Sequence, residues 1–226
     1  MQRDNHIGFS HKVVSWTKYK MFNFMVSIVL LLLLSAVVEG SKYGYLVLNT
    51  LSSIVFILGV YAVGRGKKHI IILIILGLPW VFSEWAFMKS SQTIFGSMLF
   101  FLYVTVIILN HILNSRKITA DTLYGAVCVY LLLGLLWVTV YGGIEYFSPG
   151  AAFVSDHLGD SGSISTNELV YYSYTTLTTL GYGDILSTTP LARILSVLEA
   201  ITGQLFIAFL VARLISMYKV KPVQEG

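Results

Sequence analysis

Charged residues are scarce in this chain: only 12% of its 226 residues are Asp, Glu, Lys or Arg, whereas 56% are hydrophobic. A soluble domain covers much of its surface with charged side chains, so this composition excludes a soluble globular protein. It indicates a membrane protein that is surrounded by lipid. The net charge of +4 does not indicate a nucleic-acid partner, because the positive residues lie in short segments between apolar runs.

Cysteine is nearly absent as well, since Cys128 is the only one and lies within an apolar run, where we expect a small core residue. An intrachain disulfide is therefore excluded. The sequence also has no glycine-rich phosphate-binding loop and no cluster of metal-ligating side chains. Because Glu84, His111 and Glu199 have no motif spacing between them, we do not expect an intramembrane enzyme.

Arginine and lysine are missing from the apolar run at residues 94–112. A voltage sensor needs several positive charges in such a run, because each charge contributes ~2.3 kcal/mol per 100 mV of membrane potential. The run at 45–63 also lacks acidic residues that could pair with moving charges. Steep voltage gating is therefore not expected.

Six apolar runs reach or approach the ~20 residues that a helix needs to cross a ~30 Å hydrocarbon layer. No A-x-A cleavage site follows the first run, so we expect it to be retained. The predicted spans are about 21–38, 45–63, 70–88, 94–112, 123–147 and 191–218.

The third predicted span contains two unusual residues. Pro79 should kink the helix or break it, because proline removes a backbone donor. Glu84 lies between Trp80 and Trp85 toward the outer end. It is either a functional carboxylate or a side chain that reaches the lipid headgroups.

The positive segments alternate with segments that carry one lysine or acidic residues. The positive segments are 1–20, 65–68, 116–117 and 219–221. Because positive loops face the cytoplasm, we expect a multi-pass protein of the cell (plasma or inner) membrane with both termini cytoplasmic. The acidic residues between 145 and 168 then lie outside, where they either concentrate cations or form a solvated loop.

Residues 175–184 read TTLTTLGYGD, and two glycines flank Tyr182. Glycine at alternate positions permits dihedral angles that side chains forbid, so an extended backbone can turn successive carbonyls toward one axis. Four copies around that axis would form stacked oxygen rings that replace the water shell of a cation. An ordinary turn between two helices is the alternative interpretation.

This segment resembles the selectivity filter of potassium channels, and residues 123–218 resemble the pore module of tetrameric members, including the spacing from Asp184 to Arg193 and on to Gly203. The resemblance implies an all-α membrane protein with six transmembrane helices, a re-entrant pore helix and a filter, in a fourfold-symmetric homotetramer. Potassium ions are the implied cargo.

By the same resemblance, the ion sites are the Thr179 hydroxyl and the carbonyls of Thr179, Leu180, Gly181 and Tyr182, with Gly183 completing the filter. The Tyr182 ring should point away from the axis. Two departures stand out, because Leu180 replaces the commoner valine and Thr175 replaces a glutamate of some simple channels. The residues expected to support the filter are Tyr171, Tyr172, Thr175, Thr178 and Asp184.

A capping box at Ser165–Glu168 predicts a short helix that begins near Thr166 and runs toward Thr178. If this helix enters from outside, its C-terminal end carries the negative pole of its dipole toward the membrane centre and favours a cation there.

In the last span, Gln204, Ile207, Val211 and Ile215 share one helical face. The resemblance places that face on the cavity, with Val211 and Ile215 as an inner gate that closes by dewetting. The alternative is a lipid-facing or interhelical stripe. Gly203 resembles the hinge glycine of the family. Glu199, on the opposite face, should have a hydroxyl partner or a proton and no ion contact.

These observations divide the chain into four parts. Residues 1–20 form a cytoplasmic segment that is either an interfacial helix or a basic tail with His6 and His11. Residues 21–116 form a four-helix, sensor-like domain without gating charges, and this resemblance to six-span channels rests on span count. Residues 117–218 form the pore domain, and 219–226 a short tail in which no small-molecule-binding domain is evident.

We therefore expect a potassium-selective channel that is not steeply voltage-gated. The alternatives are a weakly selective cation channel and a non-conducting membrane partner or sensor subunit. A potassium-uptake transporter subunit is less consistent with the sequence, because such proteins carry several degenerate filter loops and this chain carries one intact loop. The stimulus that opens the pore is not encoded in any motif.

Overall fold

The structure is a computed structural model, and it describes residues 20–38, 41, 43–64, 67–86, 91–115, 119–155 and 163–217. The predicted N-terminal segment, apart from Lys20, and the predicted tail at 219–226 lie outside these residues. Residues 156–162, which are part of the acidic stretch 145–168, also lie outside them.

The described part of the chain is mostly helical. Six of its helices are long and apolar enough to cross a membrane, which confirms the predicted number of spans. The third helix begins and ends three residues earlier than predicted, and Lys67, Lys68 and His69 lie in its first turn. In chain order the elements are α1 Lys20–Val38, α2 Gly44–Val63, α3 Lys67–Trp85, α4 Ser91–Asn114, α5 Ala120–Phe147, β1 Phe153–Ser155, α6 Thr166–Leu177, β2 Ile185–Ser187 and α7 Pro190–Met217.

Helices α1 to α4 enclose an aromatic core. The Phe100 ring of α4 lies 5.3 Å from the Phe56 ring of α2 and 5.7 Å from the Trp80 ring of α3. Gly77 makes room for this packing, because a Cβ at that position would lie 2.1 Å from the Phe56 ring. Helix α3 continues through Pro79, so the predicted break does not occur.

The front helices lie directly against α5 of the same chain. Helices α4 and α5 pack side by side, and only residues 115–119 connect them. Helix α1 also contacts α5, where the Met21 amide donates to Asp121 Oδ1 (3.2 Å) and the Cys128 thiol donates to the Met21 carbonyl (3.3 Å). Cys128 is buried in this interface, as expected of a small core residue.

A small antiparallel sheet, which the sequence analysis did not predict, joins the loop after α5 to the segment before α7. Phe153 pairs with Ser187, and Ser155 pairs with Ile185. The Arg193 side chain donates from Nε to the Ser187 carbonyl (3.1 Å). The sheet therefore fixes the chain directly after residue 184.

Candidate functional site

Helix α6 begins with the predicted capping box. The Glu168 amide donates to Ser165 Oγ (3.2 Å), and the Ser165 amide donates to Glu168 Oε2 (2.7 Å). Two orphan donors of the first turn are thereby satisfied. Near this end, Asn167 Nδ2 donates to the Ser35 carbonyl of α1 (3.4 Å), which connects α6 to the front helices.

The C-terminal half of α6 is fixed against α5. The Tyr174 hydroxyl donates to the Leu131 carbonyl (2.7 Å), and the Tyr130 hydroxyl donates to the Leu177 carbonyl (3.3 Å). The Tyr174 ring also fits over Gly134, where an added Cβ would lie 2.6 Å from the ring. The position of the last helical turn is therefore set by three contacts with α5.

The segment after α6 has alternating backbone handedness. Thr179, Gly181 and Gly183 have φ values of 61°, 54° and 83°. The positive values at Gly181 and Gly183 agree with the sequence analysis, which expected unusual dihedral angles at the glycines. Thr179 is the one described residue other than glycine with a positive φ, a conformation that costs of order 1–3 kcal/mol. Hydrogen bonds from the amides of Leu180 (2.8 Å) and Gly181 (3.3 Å) to the Thr175 carbonyl hold this turn.

Side chains of the segment project away from the rest of the chain. Leu180 is 59% exposed and Tyr182 is 69% exposed. A Cβ added at Gly181 or Gly183 would meet no described atom within 4 Å. Within a single chain, the segment is thus supported from one side only.

Tyr171 and Asp184 form the support behind Tyr182. The Tyr171 hydroxyl donates to Asp184 Oδ2 (2.6 Å), and its ring is parallel to that of Tyr182 with centroids 6.5 Å apart. The hydrogen bond to Asp184 raises the pKa of Tyr171 to about 12, so the phenol is neutral at physiological pH. Asp184 Oδ1 accepts from the Ile185 amide (3.1 Å), which links this pair to β2.

The other residues expected to support the filter have partners on the helices. The Tyr172 hydroxyl is 2.6 Å from Ser196 Oγ of α7, so in this chain it binds the last helix and not Tyr182. Thr175 Oγ1 donates to the Tyr172 carbonyl (3.0 Å), and Thr178 Oγ1 donates to the Tyr174 carbonyl (2.6 Å). These two hydroxyl groups are therefore bonded to backbone carbonyls of α6 itself.

On α7, the structure brings the predicted cavity residue Gln204 and the predicted hinge residue Gly203 close to the segment and to the end of α6. Gln204 Nε2 donates to Thr179 Oγ1 (3.2 Å). At Gly203, an added Cβ would lie 2.1 Å from the Leu177 carbonyl oxygen, so the glycine allows α7 to approach the end of α6 closely. Helix α7 is continuous through Gly203, and close packing is the role that its surroundings indicate.

The predicted gate residues lie further along α7. Ile207, Val211 and Ile215 are 42%, 48% and 68% exposed, and they share the face that carries Gln204. This face is open in the single chain.

Glu199 lies on the opposite side of α7 and is fully buried. Its carboxyl oxygens accept hydrogen bonds from Ser173 of α6 and from Tyr141 of α5, each at 2.5 Å. The prediction that Glu199 has a hydroxyl partner is confirmed.

Arg213 was missed by the sequence analysis. Its Nη2 donates to the carbonyls of Ile112 (2.9 Å), Leu113 and Ser115 (3.0 Å) at the C-terminal end of α4. An arginine near the end of an otherwise apolar span was the available signal.

Glu84 of α3 has a buried carboxyl oxygen, Oε2, without a hydrogen-bond partner among the described residues. The Asn49 side chain of α2 donates to the Glu84 backbone carbonyl (3.1 Å).

Comparison with known proteins agrees with the location of this site. Residues 127–219 match the model of a family described as "Ion channel". The match begins within α5, includes α6 and the segment around Tyr182, and extends past the end of α7. No solved structure matches the chain. The family match and the six apolar helices together indicate an ion channel domain in a multi-pass membrane protein, and therefore a role in transport.

Proposed function

We propose that this protein is a potassium-selective channel in which four copies of the chain place residues 179–183 around one axis. The observation that carries the proposal is the alternation of positive φ at Thr179, Gly181 and Gly183. An extended backbone of alternating handedness can direct successive carbonyl oxygens to the same side. Rings of such oxygens replace the hydration shell of a potassium ion.

The proposed ion sites are the carbonyls of Thr179, Leu180, Gly181 and Tyr182, together with the Thr179 hydroxyl. Gln204 is bonded to that hydroxyl, which supports a place for Gln204 at the top of the cavity. The Tyr182 ring is stacked parallel to the Tyr171 ring, which supports a role as the outer support of the filter and not as an ion ligand.

Exposure of the segment supports assembly of several copies. Backbone without regular structure is tolerated within a membrane only when protein or water covers it. In one chain, residues 179–183 are exposed, and few residues of the span Pro190–Arg213 are buried. A closed ring of identical subunits covers both surfaces at once. Because each chain supplies one filter segment, four chains complete the pore.

The remaining parts of the chain receive roles from this arrangement. With both termini in the cytoplasm, α6 points its C-terminal end at the membrane centre, where its dipole favours a cation. Val211 and Ile215 then lie toward the cytoplasmic end of α7, where exposed apolar side chains can close the path by dewetting. Residues 21–116 form a front domain without gating charges that packs against α5, and the pore domain spans 117–218.

The test is a current recording from the purified protein in planar bilayers with unequal potassium concentrations on the two sides and sodium making up the difference. We expect a reversal potential close to the potassium equilibrium value. A reversal potential near zero would instead identify a weakly selective cation channel. Absence of current from protein that is correctly inserted would support a non-conducting partner subunit and overturn the proposal.

A further inference from the structure

Three helices meet at one buried carboxyl group behind the segment 179–183. Glu199 of α7 accepts hydrogen bonds from Ser173 of α6 and Tyr141 of α5, and none of its surface is exposed. We propose that Glu199 is a positioning residue that holds α6 at the angle required for potassium selectivity. This inference rests on the proposed function, because it concerns the same filter.

The register between α6 and α7 connects Glu199 to the filter. Ser173 contacts Glu199, and four residues later Leu177 contacts Gly203, which is four residues after Glu199. Residues four apart lie on the same face of a helix, so the two contacts are one turn apart along both helices. Leu177 is the last residue of α6, and the filter begins two residues after it. Movement at the Ser173–Glu199 contact is therefore transmitted to Thr179.

A second contact fixes the same helix pair one turn further out. The Tyr172 hydroxyl lies 2.6 Å from Ser196 Oγ, and Ser196 Oγ donates to the Ala192 carbonyl (2.8 Å). The Tyr172 ring packs edge-on against the Tyr141 ring, with centroids 5.3 Å apart. Neighbouring residues of α6 thus reach α7 through two separate hydroxyl contacts, and Tyr141 touches both.

Stability alone does not require a carboxyl group at this place. A buried polar group must be hydrogen-bonded to offset its loss of hydration, and an apolar side chain of similar volume would fill the space without that requirement. What the carboxyl group adds is direction. Its two oxygens fix the Ser173 and Tyr141 hydroxyl groups at 2.5 Å each, whereas apolar packing leaves the angle between helices less defined.

The experiment compares Glu199→Gln, Glu199→Leu and the wild-type full chain in planar bilayers with mixed potassium and sodium. Glutamine can accept from Tyr141 and donate to Ser173, so we expect wild-type selectivity. Glu199→Leu removes both hydrogen bonds, and for this variant we expect the sodium-to-potassium permeability ratio to rise about tenfold, which corresponds to about 1.4 kcal/mol. Thr202→Val is the matched control, because Thr202 Oγ1 donates to the Leu198 carbonyl of its own helix.

The reversal potential separates positioning from mere structural support, since poor folding reduces the current without changing its selectivity. If Glu199→Leu does not assemble, Tyr141→Phe removes one of the two hydrogen bonds to Glu199 and should raise the ratio by a smaller factor. Ser173→Ala removes the other, together with the contact of Ser173 Oγ with the Gly134 carbonyl (2.9 Å), and should also raise the ratio. This inference alone would be overturned if the wild type were selective and Glu199→Leu were equally selective. The same conclusion would follow if Tyr141→Phe and Ser173→Ala were as selective as the wild type. Equal loss in the Gln and Leu variants would also overturn it. Absence of potassium selectivity in the wild type would overturn the proposed function itself.

Discussion

Replacement of Gly203 by alanine distinguishes a packing role from a hinge role. The added Cβ would lie 2.1 Å from the Leu177 carbonyl oxygen and 3.0 Å from its carbonyl carbon. Ordinary van der Waals contact begins at 3.4 Å, so the first distance is short by 1.3 Å. Both neighbouring atoms belong to the backbone, and no side-chain rotation can relieve the overlap. Helix α7 must therefore move away from the end of α6.

We expect Gly203→Ala to destabilise the pore module by ~1–3 kcal/mol, as overpacking of a close contact does. Because Leu177 lies two residues before Thr179, potassium selectivity should fall as well. The measurements are thermal unfolding in detergent and the reversal potential in bilayers. Gly142→Ala is the matched control, since its Cβ would meet the Leu169 side chain at an ordinary 4.0 Å.

A hinge role predicts a different result. Alanine at a hinge would change the open probability while leaving stability and selectivity as they are in the wild type. If Gly203→Ala unfolds at the wild-type temperature and keeps the wild-type reversal potential, the proposed packing role of Gly203 against Leu177 is wrong.

Three further predictions concern the support of the filter, the inner end of α7 and the response to voltage. Tyr171→Phe removes the donor to Asp184 and should weaken potassium selectivity. The pKa of Tyr171 is raised from 10 to about 12, so this stabilising contact is complete below pH 10 and is lost as the pH rises through about 12. Wild-type selectivity should therefore not change between pH 7 and 9. Arg213→Met removes the hydrogen bonds to the end of α4, so it should lower the free energy of unfolding by ~1–3 kcal/mol and alter the open probability. Ser216→Ala is the control, because it removes a hydrogen bond within α7 and should change neither quantity. Since no lysine or arginine lies between residues 94 and 112, the conductance–voltage curve should be shallow.

Each of these predictions has a contrary outcome. Wild-type selectivity in Tyr171→Phe would show that the Asp184 contact does not support the filter. An Arg213→Met protein with unchanged stability and gating would remove any role for the contact between α7 and α4. A conductance–voltage curve as steep as several gating charges require would contradict the interpretation of the fourth helix.

Hydropathy and local pattern determined the parts of this protein that depend on neighbours in sequence. The six spans follow from apolar length alone, because a helix in lipid satisfies its own backbone hydrogen bonds. The capping box at Ser165–Glu168 is equally local, because its two partners are only three residues apart. The positive φ of Gly181 and Gly183 is local as well, because a residue without a Cβ adopts this conformation without a steric penalty.

Contacts between residues distant in sequence were decided only by the tertiary structure. The pairing of β1 with β2, the partner of Tyr172 and the contact of Arg213 with the end of α4 have no signature within one element. Tyr141 and Glu199 are 58 residues apart, and only the packing of α5 against α7 brings their side chains to 2.5 Å. Gly203 shows the same division: its place in the last helix was evident from the sequence, but the reason for a glycine there is a carbonyl oxygen of another helix.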